Sequence, residues 1–338
     1  MLQRAVLFVS VGCPAGIGPE VAVAAAADRR DVVLVGDRGV ISAAARLRGI
    51  DAKRLVDFQG VLPPGRHIAL VDPGDALSVK DYRPGRPSHR AGRATLRWID
   101  TALALVQQHP GSALVTGPVS KAAIARSGAP GARAFAGHTE HLERSVGAGR
   151  SVMCFHCDEI TTALVTTHLP VAKAVRSITP EGVERATVEL AQFLRRLGTS
   201  RPLVAVTSLN PHAGEDELLG SDEKTRIVPG VRRAKRRLGG RATVQGPIGA
   251  ETAFRLARMG KVDGVVTMLH DQATIPTKLI AFGKAVNVTL GLPLIRTSVD
   301  HGTAYDIAWT GRADESGMRA ALQLAARLTR PRSARKRK

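Results

Sequence analysis

The chain is poor in cysteine: its 338 residues include three, Cys13, Cys154 and Cys157. Three thiols cannot build a disulfide framework, so the sequence predicts a reducing compartment, the cytoplasm. Aromatic residues are scarcer still in proportion, at 3%, with two Tyr and two Trp. Proteins that stack single-stranded bases need aromatic platforms, and none is interleaved with the basic stretches. No run of about 18 apolar residues free of charge exists, which excludes a membrane-spanning helix. The stretch VLFVSV near the N-terminus is too brief for a secretory signal and runs into a glycine-rich turn, so it reads as a first strand. Neither a Walker A motif nor a G-x-G-x-x-G fingerprint is present. No internal repeat of about 20–50 residues is visible.

Acids are also in short supply. Against 49 Lys+Arg there are 29 Asp+Glu, a formal charge of +20. Charge of this size raises nucleic acid as a partner. Its distribution argues otherwise, because segment 231–241 (VRRAKRRLGGR) and the last ten residues (TRPRSARKRK) each carry six basic residues and no acid. These read as a solvated helix face and a basic disordered tail over 329–338, and no specific nucleic-acid partner is predicted.

What is abundant is apolar material, 44% of the chain. That is enough for one large or two medium α/β domains. Short apolar runs alternate with helical patterns. VVLVG (32–36) reads as a strand, followed by Asp37 as helix N-cap. ALVTG (113–117) reads as another strand, followed by a helix closed by Gly128. Thr179, Pro180 and Glu181 have the order of an N-cap, a first-turn proline and a first-turn acid, for a helix ending near Gly198. Such alternation predicts α/β layers around a mostly parallel sheet. Segment 72–93, rich in Pro, Gly and charge, reads as a loop.

Three segments share one form: TTALVTTHLP (161–170), PLVAVTSLNPHAGE (202–215) and VDGVVTMLHDQ (262–272). Each is a buried-strand pattern ending in a histidine, His168, His212 and His270. Ligands of open α/β sheets bind outside the carboxyl ends of the strands. One such histidine would be an ordinary polar residue at a strand end. Three at matching positions predict a ligand set for a catalytic divalent metal with open positions. The CxxC formed by Cys154 and Cys157 carries no such expectation. It lies on a strand pattern that points residues three apart to opposite faces.

The turn Gly12–Glu20 reads as a tight turn with close helix–strand packing. Gly137-His138-Thr139-Glu140 follows a small-residue loop, and Lys278, Asn287 and Arg296 lie among apolar residues. Cations in apolar surroundings need an anion, either an internal carboxylate or a bound phosphate or carboxylate.

Taken together, GCPAGIGPEV, TGPVSKAAI, GHTEHLE, TTHLP, LNPHAGE, LHDQ and FGKAVNVTLGLPLIRTSVDHGTAYDIA resemble the 4-hydroxythreonine-4-phosphate dehydrogenase family of pyridoxal phosphate biosynthesis, over about residues 5–325. The resemblance implies an α/β fold of two α/β/α domains, like isocitrate and isopropylmalate dehydrogenases, with the active site in the interdomain cleft. We expect a discontinuous first domain, 1–130 plus 290–328, and a second domain, 131–289. The resemblance also implies a homodimer with a shared active site and a small phosphorylated substrate. It implies NAD and one divalent metal (Zn, Mg or Co) as cofactors. Carried over by motif, the metal ligands are again His168, His212 and His270. The substrate-binding positions are His138, Thr139, Lys278, Asn287 and Arg296. The nucleotide loop is similar to HG(S/T)A-x-DIA, here His301, Gly302, Thr303, Ala304, Asp306 and Ile307, with Tyr305 at the variable position. Asp306 in that loop suits a free ribose hydroxyl and favours NAD over NADP. Asp271 and Lys278 are the candidates for catalytic residues, Asp271 through orientation of His270 or proton transfer. Lys121 is an outside candidate for anion binding.

Four positions depart from the family pattern. Cys13 stands where an acid is usual, Glu251 where aspartate is usual, and Ala273 and Trp309 where glycine is usual. They leave two alternatives open: another phosphorylated hydroxy acid (threonate or erythronate phosphate) or a cis-dihydrodiol carboxylate as substrate. A non-catalytic anion- or nucleic-acid-binding protein on this scaffold is the rival from a different class.

Overall fold

The computed structural model describes residues 5–281 and 283–330. These fall into two compact units, Met1–Ala148 with Leu292–Arg330, and Gly149–Gly291.

The first unit contains β1 (Leu7–Ser10), β2 (Val32–Val35), β3 (Leu55–Asp57), β4 (Ile68–Val71), a two-stranded hairpin of β5 (Tyr82–Arg83) and β6 (Arg86–Pro87), and β7 (Ala113–Thr116). The second contains β8 (Val152–His156), β9 (Thr161–Leu164), β10 (Leu203–Thr207), β11 (Thr243–Ile248), β12 (Gly264–Thr267) and β13 (Val286–Leu290). The chain then returns to the first unit with β14 (Ile295–Val299). In the first unit the strand order is β14-β7-β1-β2-β4-β3, all parallel. In the second it is β11-β10-β12-β9-β8-β13, parallel as far as β9 and antiparallel for the last two pairings. β1, β2, β7, β9 and β12 are buried along their whole length. This is why they read as unbroken apolar runs: a parallel sheet has both faces covered by helices.

The helices of the first unit are α1 (Gly18–Ala26), α2 (Arg38–Leu47), α3 (His89–Gln108), α4 (Lys121–Ala125) and α5 (His138–Ser145). The second unit has α6 (Val171–Ser177), α7 (Pro180–Leu197), α8 (Val228–Leu238), α9 (Ala250–Arg258) and α10 (His270–Ala281). The first unit ends with α11 (Ser316–Thr329). The expected caps are present. Asp37 accepts from the Val40 amide at 2.8 Å and Thr179 from the Gly182 amide at 3.1 Å. Each satisfies one of the amides a helix start leaves open.

Segment 72–93 is not one loop. It contains the β5–β6 hairpin and the start of α3, whose cap Ser88 accepts from the Ala91 amide. Residues 131–148 pack in the first unit rather than the second: His141 of α5 donates to Asp100 of α3 at 2.6 Å. Thr329, expected in the tail, is the last residue of α11, and 331–338 lie outside the described residues.

The basic residues of 232–237 lie on α8, whose Val231, Ala234 and Leu238 are buried. Arg233 pairs with Glu181 and Arg237 with Glu184 at 3.4 Å, both acids on α7. Arg232, Lys235 and Arg236 remain exposed. Cys154 and Cys157 are buried, and each thiol bonds a different backbone carbonyl, those of Phe155 and Ile160. Burial pushes both thiols up, so neither is a ready thiolate.

Helices α7 and α8 touch at Gly230. A Cβ there would lie 2.6 Å from the Val183 Cβ and 2.7 Å from the Pro180 carbonyl oxygen. Alanine gains about 1 kcal/mol of helix propensity over glycine, but the overlap forces the helices apart, at about 1–3 kcal/mol. Gly230→Ala is therefore expected to lower the unfolding free energy in denaturant titration. An unchanged or raised midpoint would contradict this contact.

Candidate active site

The second unit gathers the three histidines at one end of its sheet. Strands β10, β12 and β9 are neighbours in that order and run parallel. Their carboxyl ends are Thr207, Thr267 and Leu164. The histidines are not on the strands themselves: His168 and His212 lie in the loops that follow, and His270 opens α10. The rings of His168 and His270 have centroids 5.6 Å apart, tilted by 47°. Two imidazoles on one tetrahedral ion, with metal–nitrogen distances of about 2.1 Å, have ring centres roughly 5 Å apart. The pair therefore fits a shared divalent ion. Among the described residues, no three His, Cys, Asp or Glu side chains converge on one point. His212 is thus not joined to the other two within the chain.

His270 Nδ1 donates to the Asp271 carboxylate at 2.7 Å. That bond fixes the tautomer and leaves Nε2 with its lone pair for a ligand. Asp271 itself is exposed. Lys278 is exposed on α10, eight residues after His270, and Asn287 is half-buried on β13 opposite Phe155. The Asn287 Oδ1 is enclosed with no protein hydrogen-bond partner.

The loop carrying His212 is strained. His212, Ala213, Glu215, Asp216 and Glu217 all have left-handed φ, between 44° and 75°. An L-residue in that region costs about 1–2 kcal/mol. Two side chains brace the residues that lead into it, and neither is signalled by the sequence. The Glu223 carboxylate, 6% exposed, accepts from the Leu209 and Asn210 amides at 2.8 Å each and from Asn210 Nδ2 at 3.0 Å. The Gln272 Oε1 accepts from the Met268 and Leu269 amides at 3.0 Å, while its Nε2 donates to the Ser208 carbonyl at 3.1 Å. Gln272 thus ties the loop before His270 to the loop before His212.

The first unit holds the other expected substrate residues, His138, Thr139 and Arg296. Arg296, on β14, is 3% exposed, and its guanidinium donates to Thr116 Oγ1 at the end of β7, at 2.7 Å. Burial lowers it from the usual 12.5 to about 10, opposed by the Glu140 carboxylate. His138 opens α5. Its Nε2 is enclosed without a protein partner. Burial, then the positive charge of Arg296, and then His141 and Lys121, hold its imidazole well below the usual value. At neutral pH it is an uncharged ring beside a buried cation. Thr139 follows it in the first turn. This arrangement suits an anion, with Arg296 supplying charge and His138 a hydrogen bond. Thr116 escaped the sequence reading because a strand-end threonine carries no signal of its own.

The expected nucleotide loop is also in the first unit. The His301 Nε2 is enclosed with no hydrogen-bond partner among the described residues, a Cβ on Gly302 would meet none of them within 4 Å, and Asp306 is exposed. The loop therefore offers a polar ring atom and open space beside a bare backbone. Those features fit a dinucleotide lying against it.

Residues 28–325 match the sequence pattern of the family described as pyridoxal phosphate biosynthetic protein PdxA. The chain belongs to the PdxA family. A 4-hydroxythreonine-4-phosphate dehydrogenase from Desulfosudis oleivorans is 38% identical over 96% of this chain and 96% of its own length. The crystal structure of the Klebsiella pneumoniae 4-hydroxythreonine-4-phosphate dehydrogenase is 34% identical, with a TM-score of 0.83 over 96% of this chain and 100% of that one. A terephthalate 1,2-cis-dihydrodiol dehydrogenase from Burkholderia xenovorans is 32% identical, with a TM-score of 0.67 over 96% and 98% of the two chains. The PdxA chain described here is an α/β oxidoreductase of the alcohol-dehydrogenase type. Among the departures, Glu251 is exposed in the first turn of α9 and accepts from Thr252 Oγ1 at 2.7 Å, whereas Ala273 is fully buried.

Two outcomes are expected. His138 is neutral when folded but titrates near 6.5 when unfolded. As pH falls below about 6.5, the unfolded chain takes up a proton that the folded chain does not, so stability drops. In His138→Gln, the loss of stability between pH 7.5 and 5 in denaturant titration should be smaller than in the wild type. Equal losses would remove His138 as its source. Separately, Glu223→Gln should destabilise the 209–217 loop by about 1–3 kcal/mol, the cost of leaving buried amides poorly paired. Faster amide exchange confined to that loop is the measurement.

Proposed function

We propose that the protein oxidises 4-phosphohydroxy-L-threonine with NAD and a divalent metal (Zn, Mg or Co). The product, 2-amino-3-oxo-4-phosphooxybutanoate, then loses carbon dioxide to give 3-amino-2-oxopropyl phosphate, a step of pyridoxal 5′-phosphate biosynthesis. The observation that carries this reading is the delivery of three histidines from adjacent parallel strand ends, with His168 and His270 spaced for one ion.

His168 and His270, with His212 as the expected third ligand, would hold a divalent ion, which would supply Lewis-acid polarisation at the substrate's reacting oxygen. NAD supplies the hydride acceptor. The remaining work falls to the chain's own groups. Asp271 orients His270 through Nδ1 and offers an exposed carboxylate for a departing proton. Arg296 neutralises the phosphate or carboxylate, and the uncharged His138 and neighbouring Thr139 add hydrogen bonds without adding charge. Lys278 and Asn287 would add a cation and an enclosed acceptor. His301, Gly302, Thr303, Ala304, Asp306 and Ile307 hold the nucleotide, Asp306 favouring a free ribose hydroxyl.

A homodimer with a shared active site belongs to the same reading. Of the eleven exposed large apolar residues among the described residues, seven lie within ten positions of one of the histidines in the chain: Leu169, Val171, Leu218, Leu219, Ile275, Leu279 and Ile280. Exposed apolar residues concentrated beside a site are characteristic of an interface, and a second copy would bring further ligands to it. The likeness to a cis-dihydrodiol dehydrogenase keeps a second substrate class in view, because Arg296 and His138 would take a carboxylate as readily as a phosphate.

The test is NADH formation, followed by absorbance, with purified protein, a divalent metal, NAD and 4-phosphohydroxy-L-threonine. Threonate phosphate, erythronate phosphate and a cis-dihydrodiol carboxylate serve as rival substrates. Turnover only with a rival would reassign the substrate, and none with any would reject the dehydrogenase reading. His212→Ala is expected to lose bound metal and more than about 100-fold in activity while keeping its circular dichroism, as ligand loss does. Unchanged metal content would remove His212 from the ligand set.

A further inference from the structure

The glycine turn at residues 12–20 has no role in the mechanism above, yet the nucleotide loop is built onto it. Gly16 packs so closely against Thr303 that a Cβ would lie 2.7 Å from the Thr303 carbonyl oxygen. The Ile17 amide donates to that same oxygen at 3.0 Å. Cys13 Sγ and Tyr305 Oη are 3.5 Å apart. Trp309 Nε1 donates to the Pro14 carbonyl at 2.8 Å. Trp309 itself has a φ of 60° at a position where the family pattern has glycine. Its ring lies 5.3 Å from that of Tyr82 on the β5–β6 hairpin. Both tyrosines of the chain and one of its two tryptophans are therefore spent on this one junction.

At its centre is Glu20, in the first turn of α1 and wholly buried. Its carboxylate accepts from the Trp309 amide through one oxygen and from the Gly311 amide at 3.0 Å through the other. A buried carboxylate needs such donors to stay in place. Both amides lie just beyond the segment 301–307 that faces the nucleotide.

We propose that Glu20 is a positioning residue for NAD, fixing the 301–311 loop through the Trp309 and Gly311 amides, with the Trp309 indole as the second anchor. Glu20 never touches the cofactor. It holds the bare backbone at Gly302 and the His301 ring in the arrangement the nucleotide meets. The left-handed Trp309 is strained by itself and persists because Glu20 and Pro14 both bind it. The proposal rests on the reading of 301–307 as the nucleotide loop.

The test uses the full chain, with NADH as the probe and no turnover. NADH quenching of tryptophan fluorescence gives its dissociation constant, and amide exchange reports the loop. In the wild type, NADH should bind and protect residues 301–307. Glu20→Gln keeps the shape but turns one acceptor into a donor facing an amide. It should weaken NADH about tenfold, the size expected for one lost charge-assisted bond. Exchange across 303–311 should also rise in the NADH-free protein, with thermal stabilisation by 4-phosphohydroxy-L-threonine unchanged. Trp309→Phe should weaken NADH in the same sense by removing the Pro14 bond, and it carries the test should Glu20→Gln not fold. Protection of the loop with unaltered NADH affinity in the folded variants would overturn the positioning role alone. NADH binding that leaves 301–307 unprotected would instead overturn the nucleotide reading, and this inference with it.

Discussion

Burial of parallel strands on both faces is the constraint on which the rest depends. A strand such as β9 or β12 has no exposed residue to spare for chemistry. Polar groups for chemistry therefore come mainly from strand ends and the residues that follow them, Arg296 within β14 being the exception, and the parallel order brings those ends to one side. His168, His212 and His270 share one end of the second sheet for this reason. So do Thr116 at the end of β7 and the glycine turn after β1 in the first.

Loops placed there need their own support, since they lack the regular hydrogen bonding of the strands. Three loops in this protein have a side chain beneath them that accepts backbone amides: the buried Glu223 under residues 209–210, the half-buried Gln272 under 268–269, and the buried Glu20 under 309–311. Each stands in for the missing strand partner and leaves the loop's outer surface free for ligands. The left-handed backbone at Trp309 is held directly by such an acceptor, and that at His212 begins two residues after one.

The charge balance has a similarly local meaning. Much of the net +20 sits on α8 and in the last ten residues. On α8, two of the arginines are paired with Glu181 and Glu184. The cation that matters most to the proposed chemistry is Arg296, which is buried, bonded to Thr116 and lowered toward 10. The surface charge and the site charge are separate facts about the same chain.

The strands and caps were legible in the sequence because they rest on local rules. An apolar run such as VVLV, a capping Asp37 or Thr179, and a histidine after a buried-strand pattern depend only on near neighbours. The family's motifs point to the candidate site residues in the same way, each within a few positions of its strand. The β5–β6 hairpin was hidden because its charged, proline-rich sequence has no apolar alternation. Helix α5 was assigned to the wrong side of a boundary because its partner, Asp100, lies 41 residues away in the chain. The supports Glu20, Glu223 and Gln272 were invisible for the same reason: a buried acid or amide is recognisable only by the amides it meets. Glu20 meets its own some 290 residues along the chain. The sequence by itself therefore determined which residues could do chemistry and which strand ends would present them. Only the tertiary structure decided what holds them there, since hydrogen bonds between distant segments leave no trace in local pattern.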